Sequence, residues 1–278
     1  MMKYCYFDGK YIESSKAGVP INDLGITRAY SVFDFFRVYN TKPLHFDRNY
    51  KRLLNSAKIL NIKVPISSSK LGEIVSGLLK KNKCKSAQVK IILTGGVSED
   101  GLSRGSNPLL YIYLSDLVDF PESYYKKGCK LITEEYSRPY FEAKTTYYTR
   151  AVILQDKRRK QKAVEILYVT KGKIFEAATS NIFIVKNNKL FTPKEGILKG
   201  ITRSIVIDLA KDLDIKCVEK NLSLNEALKA DEIFLTAANK KVLPIVNIDN
   251  KKISNGRVGE LSKKLLEEYE LFVEKKSR

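Results

Sequence analysis

Histidine is nearly absent: His45 stands alone among 278 residues. That scarcity excludes most catalytic designs built on an imidazole, Ser-His and Cys-His pairs included, along with histidine-rich metal centres. An enzyme of this composition draws its base from lysine, tyrosine or a carboxylate. Cysteine is also scarce. Cys5, Cys84, Cys129 and Cys217 lie far apart with no CxxC pair, so neither a disulfide framework nor a zinc site is indicated, and no metal is expected. No apolar run is long enough for a signal peptide or a membrane span, which predicts a cytoplasmic protein with no membrane partner. Acidic residues are in deficit, 31 against 50 basic ones, for a net charge of +19. Such a balance raises the question of nucleic acid. The lysines, however, are dispersed as pairs such as Lys80-Lys81 and Lys263-Lys264 with acids between them, and only Lys157-Arg158-Arg159-Lys160 begins a true run. The pattern reads as a lysine-rich solvated surface, with no nucleic-acid partner.

What remains is a globular chain, 44% hydrophobic, with enough apolar residues for one large core or two modest ones. Asp8-Gly9 between short aromatic runs predicts a tight hairpin, because both turn residues must take positive φ. The β-branched and aromatic residues of 32–39 predict a strand. Asp47 reads as the N-cap of a helix with apolar positions at Tyr50, Leu53, Leu54, Ala57 and Leu60. A second helix follows at Leu71, Ile74, Val75, Leu78 and Leu79. Strands over 88–94 and 109–115 flank a glycine-rich loop, 95–105. The turn-prone link that ends in Pro121 predicts a boundary dividing the chain into domains 1–118 and 119–278. Further on, the pattern predicts strands over 129–134, 164–170, 181–186, 216–219 and 232–236. Helices are predicted over 146–161, 224–229 and 258–273. No internal repeat is present.

The stretch Gly196-Ile197-Leu198-Lys199-Gly200-Ile201-Thr202-Arg203-Ser204 enters an apolar-periodic run directly. A helix N-terminus carries unbonded N–H groups and the positive end of the dipole. Glycine allows close approach and threonine adds a hydroxyl, so the stretch can seat an anion. An ordinary capped helix start has the same appearance, and both readings stand at this level.

Several motifs in order resemble the class IV, fold-type IV pyridoxal-phosphate enzymes, the group of branched-chain and D-amino-acid aminotransferases and 4-amino-4-deoxychorismate lyase. They are Arg52-Leu53-Leu54-Asn55-Ser56-Ala57, Ala143-Lys144-Thr145-Thr146, Glu176-Ala177-Ala178-Thr179-Ser180-Asn181, the 197–203 stretch, and Asp231-Glu232-Ile233-Phe234-Leu235-Thr236. The resemblance covers nearly the full length. It implies an α+β chain of two domains, a small N-terminal α/β domain and a larger C-terminal mixed one, with a cofactor cleft between them, and a homodimer. The cofactor implied is pyridoxal 5'-phosphate. Lys144 is then the Schiff-base lysine and Glu176 the partner of the pyridine nitrogen, while Leu198 packs on the ring. Arg52, Gly200, Ile201, Thr202, Thr236, Ala237 and Ala238 surround the phosphate. The implied reaction is transfer of an amino group between an amino acid and a 2-oxo acid, with the lyase and a non-catalytic descendant of the fold as alternatives.

The departures bear on the cofactor's contacts and on the substrate. Tyr147 stands where an asparagine is frequent, with Tyr148 beside it, and Tyr148 is favoured for the cofactor hydroxyl. Thr236 is followed by Ala237-Ala238, so one phosphate hydroxyl is missing. Phe33, Arg37, Lys90 and Arg104 are the candidates to meet the substrate, the last three as holders of its carboxylate.

Overall fold

The structure, a computed structural model, describes residues 2–105 and 107–277. The chain divides into two compact units. One comprises Met1–Val118, Glu142–Tyr148 and Lys276–Arg278, the other Asp119–Phe141 and Thr149–Lys275.

The first unit holds β1 (Tyr4–Phe7), β2 (Lys10–Glu13), α1 (Leu24–Thr27), β3 (Ser31–Tyr39), β4 (Lys42–Pro43), α2 (Phe46–Ile59), α3 (Ser68–Lys81), β5 (Ala87–Thr94) and β6 (Leu110–Ser115). Its strands make an antiparallel sheet in the order β2-β1-β6-β5-β3-β4. The predicted hairpin joins β1 to β2, with Asp8 and Gly9 at φ of 42° and 86°. One face of the sheet, represented by Tyr6, Val32, Phe36, Val89 and Ile112, packs against Leu53 and Ala57 of α2 and Leu71, Ile74 and Leu78 of α3. Each such fully buried leucine contributes roughly 1.5–3 kcal/mol. Helix α2 starts two residues earlier than its acidic signal suggests. His45, not Asp47, is the N-cap and takes a left-handed conformation, while Asp47 lies in the first turn, where its charge favours the helix dipole.

The second unit holds α4 (Glu122–Lys127), β7 (Cys129–Glu135), α5 (Thr149–Ile153), α6 (Gln155–Lys160), β8 (Glu165–Thr170), β9 (Lys173–Ala177), β10 (Asn181–Lys186), β11 (Lys189–Thr192), α7 (Ile201–Asp212), β12 (Cys217–Glu219), β13 (Leu222–Ser223), α8 (Leu224–Leu228), β14 (Glu232–Ala237), β15 (Lys241–Ile248), β16 (Lys251–Lys252) and α9 (Glu260–Ser277), whose last residues belong to the first unit. A mixed sheet runs β12-β11-β10-β14-β15-β7-β8-β9-β13, with β16 on β15. Alternation along β10 divides its burial: Ile182 and Ile184 enter one apolar cluster, Phe183 and Val185 another that includes Ile205 and Val206 of α7 and Leu265 of α9.

Two expectations need correction. The helix predicted over 146–161 is broken into α5 and α6 at Leu154 and begins only at Thr149. Residues 142–148 are also not part of the second unit. They run along β3, where Phe33 N–H donates to the Lys144 carbonyl at 2.8 Å, Thr146 N–H donates to the Ser31 carbonyl at 3.1 Å, and Thr145 bridges to Val32. Backbone pairing to a strand more than a hundred residues earlier leaves no local periodicity to read. The four cysteines are free thiols. Among the described residues no helix is long and apolar enough to cross a membrane.

Candidate active site

In the first unit, the backbone of Lys144 is fixed on both sides. Its N–H donates to the Ser56 hydroxyl of α2 at 3.0 Å, and its carbonyl accepts from Phe33 as above. Its amine lies 4.5 Å from the centre of the Phe33 ring, and the Lys90 amine lies 5.1 Å from the same ring. An aromatic face attracts cations by its quadrupole, so Phe33 gathers two amines that would otherwise repel. The Tyr148 ring meets Phe33 edge-on at 5.8 Å. Tyr147 is by contrast exposed.

One turn before Ser56 on α2, Arg52 points at β3. It donates from two nitrogens to the two carboxylate oxygens of Asp34, both at 2.8 Å, and more weakly to Asn49 at 3.3 Å. Asp34 is fully buried, and the Arg52 side chain is 14% exposed. Burial alone would lower the guanidinium pKa. The Asp34 charge and hydrogen bonds outweigh it, Tyr148 pushes the same way, and the net shift is upward. The sequence thus singled out Lys144, Arg52, Tyr148, Phe33 and Lys90, and the fold brings them into one neighbourhood of this unit. It does not bring Arg37 or Arg104 into it. Arg37 is buried and donates to the Tyr39 hydroxyl at 2.8 Å and the Val118 carbonyl at 2.9 Å; exposed Arg104 donates to the Asn61 carbonyl at 2.7 Å.

In the second unit, Glu176 is the last but one residue of β9, at 5% exposure. One of its oxygens accepts from Arg138 Nε at 2.9 Å, the other from the Leu198 N–H at 2.9 Å. Arg138 in turn donates to the Phe141 carbonyl at 2.6 Å. The Leu198 carbonyl accepts from the Asn181 amide at 2.8 Å. Asn181 explains Gly200: a Cβ on that glycine would stand 2.0 Å from the Asn181 amide oxygen. Gly200 is the N-cap of α7 and offers no side chain to its first turn, so the N–H groups of Ile201 and Thr202 have no intrahelical partner. Lys199 is exposed.

Across the sheet, Asn181 of β10 lies in register with Thr236 of β14. Thr236 is 2% exposed, and its buried hydroxyl oxygen has no hydrogen-bond partner among the described residues. A buried hydroxyl costs roughly 1–3 kcal/mol when left unpaired. With a helix start open at its N–H groups and seated through Gly200 against the Asn181 amide, the donor set suits a phosphate ester. Ala237 pairs with Lys241, and Ala238 lies in the turn that follows.

Ser56, Arg138 and Asn181 carry no signal of these roles in the sequence. Ser56 and Asn181 stood inside motifs but looked like ordinary polar positions. Arg138 lies 38 residues from Glu176 with no local signal of the pairing.

Residues 31–248 match the amino-transferase class IV family, and the chain belongs to it. A Methanocaldococcus jannaschii protein provisionally named a branched-chain-amino-acid aminotransferase is 31% identical over 95% of this chain and 94% of its own. A Staphylococcus aureus D-alanine aminotransferase is 26% identical over 99% of this chain and the whole of its own. Among solved structures, the branched-chain aminotransferase of the archaeon Thermoproteus uzoniensis, determined with norvaline, superimposes with a TM-score of 0.91. Its identity is 25%, over 100% of this chain and 97% of that one. The two-unit α+β fold is that of the fold-type IV aminotransferases, and the chain is an aminotransferase of this class.

Proposed function

We propose that the enzyme works with pyridoxal 5'-phosphate held by its own residues in the following roles, and that Lys144 is the attachment point. When bound, the cofactor supplies an aldehyde for amine exchange and a ring that takes up the electron pair left at the substrate's α-carbon. The Thr236 hydroxyl, the N–H groups of Ile201 and Thr202 and the Arg52 guanidinium bind the phosphate. Gly200, by admitting the Asn181 amide against its backbone, sets the helix start beside the phosphate, and Ala237 and Ala238 border it. Glu176 holds a proton at the ring nitrogen, its negative charge kept in place by Arg138 and the Leu198 N–H. The Leu198 side chain packs on the ring, and the Tyr148 hydroxyl meets that of the cofactor. Lys144 moves the proton at the α-carbon of the substrate, once in each half of the transfer.

The observation that carries the reading is the partnerless buried Thr236 hydroxyl in register with Asn181, which itself seats the open start of α7. Among the cations considered for the substrate carboxylate, Lys90 is favoured, because Arg37 and Arg104 are engaged elsewhere and Lys90 shares the Phe33 ring with Lys144. Phe33 then forms part of the substrate's surroundings.

The test is chemical. Purified protein is incubated with pyridoxal phosphate, reduced with borohydride and digested, and the modified lysine is located by mass spectrometry. Modification at Lys144, lost in Lys144→Ala, is expected; modification at Lys90 or Lys199 instead, or at no lysine, overturns the assignment. A panel of amino donors, each with a 2-oxo acid acceptor, then identifies the substrate by release of the donor's own 2-oxo acid. Release of pyruvate from aminodeoxychorismate without an acceptor would mark a lyase.

A further inference from the structure

Lys240 is a buried cation to which the chemistry above gives no task. It closes the turn between β14 and β15: its N–H donates to the Ala237 carbonyl at 3.0 Å, and its carbonyl accepts the Tyr125 hydroxyl at 3.3 Å. Its amine is paired with Glu165 at 3.1 Å and donates to the Thr179 hydroxyl at 2.7 Å, with the two ionic side chains only 5% and 6% exposed. Phe120 covers the amine at 5.7 Å. Glu165 is saturated in turn: it accepts from the Thr179 N–H, from the Thr179 hydroxyl at 2.7 Å and from the Ser180 hydroxyl at 2.7 Å. Stripping water from both ions costs several kcal/mol each, so a buried pair of this kind is a poor device for stability alone. What it does achieve is a link between two loops. Thr179 follows shortly after Glu176, and Lys240 follows shortly after Thr236.

We propose that Lys240 is a positioning residue: its clamp on Thr179 and Glu165 sets the turn after Thr236 against the turn after Glu176, and so spaces the phosphate seat from the carboxylate that meets the ring. The inference rests on the cofactor reading above. It makes the clamp matter to the phosphate end of the ligand more than to the ring.

Equilibrium binding of pyridoxal 5'-phosphate and of pyridoxal, which lacks the phosphate, separates the possibilities. The proteins compared are wild type, Lys240→Met, Lys240→Arg and the double variant Glu165→Gln/Lys240→Met, with apo-protein melting followed in parallel. Lys240→Met should melt lower because Glu165 is left buried and unpaired; the double variant, which keeps the net charge, should recover most of that loss. Preference for the phosphorylated ligand should nevertheless fall about tenfold in both, as weakening of a phosphate contact implies, and should be retained by Lys240→Arg. A double variant that prefers the phosphorylated ligand as strongly as wild type overturns the clamp and leaves a merely structural pair. Wild-type protein that binds neither ligand overturns the cofactor assignment itself, so the two failures are told apart.

Discussion

Replacing Asp34 by asparagine isolates what the buried pair with Arg52 contributes. The native carboxylate takes two charge-assisted hydrogen bonds at 2.8 Å from a guanidinium that is 14% exposed, and it also accepts its neighbour's N–H, Phe35, at 2.7 Å. Asparagine keeps the shape but turns one acceptor into a donor facing the guanidinium. Arg52 is left charged with little water to replace what it lost. Removing one partner of such a pair costs about 3–5 kcal/mol, and the slight exposure of Arg52 places the expected loss near the lower end, about 3 kcal/mol. For a protein of this size that lowers the melting temperature by roughly 6–12 °C. The assay is thermal unfolding of the apo protein followed by circular dichroism, with the double variant Asp34→Asn/Arg52→Met as control. The control should recover part of the loss, because the stranded charge is gone. An Asp34→Asn protein that melts within about 2 °C of wild type refutes the reasoning.

Further outcomes are expected. His45 is the sole histidine, and burial, with Arg48 and Lys276 nearby, lowers its pKa from 6.5 to about 4. Its one set of imidazole proton resonances should titrate near that value, and a midpoint at 6 or above refutes the burial argument. Between those two values the unfolded chain binds the proton more readily. The His45 contribution to stability is therefore complete above about pH 6.5 and is lost as pH falls toward 4, by no more than about 3 kcal/mol. Gly200→Ala puts a methyl group onto the Asn181 amide oxygen. It should cost about 1–3 kcal/mol of stability and weaken pyridoxal-phosphate binding measurably in a titration, and unchanged binding would show that Gly200 is not part of the seat. Glu176→Gln should lower kcat by about a hundredfold or more in steady-state assays, since a preorganised charge is removed where charge develops. A loss confined to KM would remove Glu176 from the ring nitrogen.

The sequence displayed those parts of the fold whose signals are local. Strand β3 announces itself by aromatic and β-branched residues, and α2 and α3 by the spacing of Leu53, Ala57, Leu71 and Leu78. The hairpin at Asp8-Gly9 and the helix beginning at Ile201 were equally plain. Strand β15 was hidden, because Pro244 falls within it and proline argues for an edge or a break. Here it pairs with Phe234 in a strand flanked on both sides by β14 and β7. Strand β9 is only five residues long and carries Glu176 next to its end, where a charge resembles a loop. Of the candidate site, the motif residues were legible and the contacts that orient them were not. The Arg138–Glu176 and Lys240–Glu165 pairs join residues far apart in the chain, and nothing in the neighbourhood of either partner names the other.

Lys144 is encoded in the middle of the second unit's sequence yet held by the first, through Ser56 and Phe33. A chimera joined at residue 118 would therefore take its lysine from one parent and the hydroxyl and strand that hold it from the other. Exchange of halves between relatives is constrained at residues 31–33 and 56 as firmly as at the lysine itself, and a graft meant to keep the seat intact has to move 142–148 together with the N-terminal part of the chain.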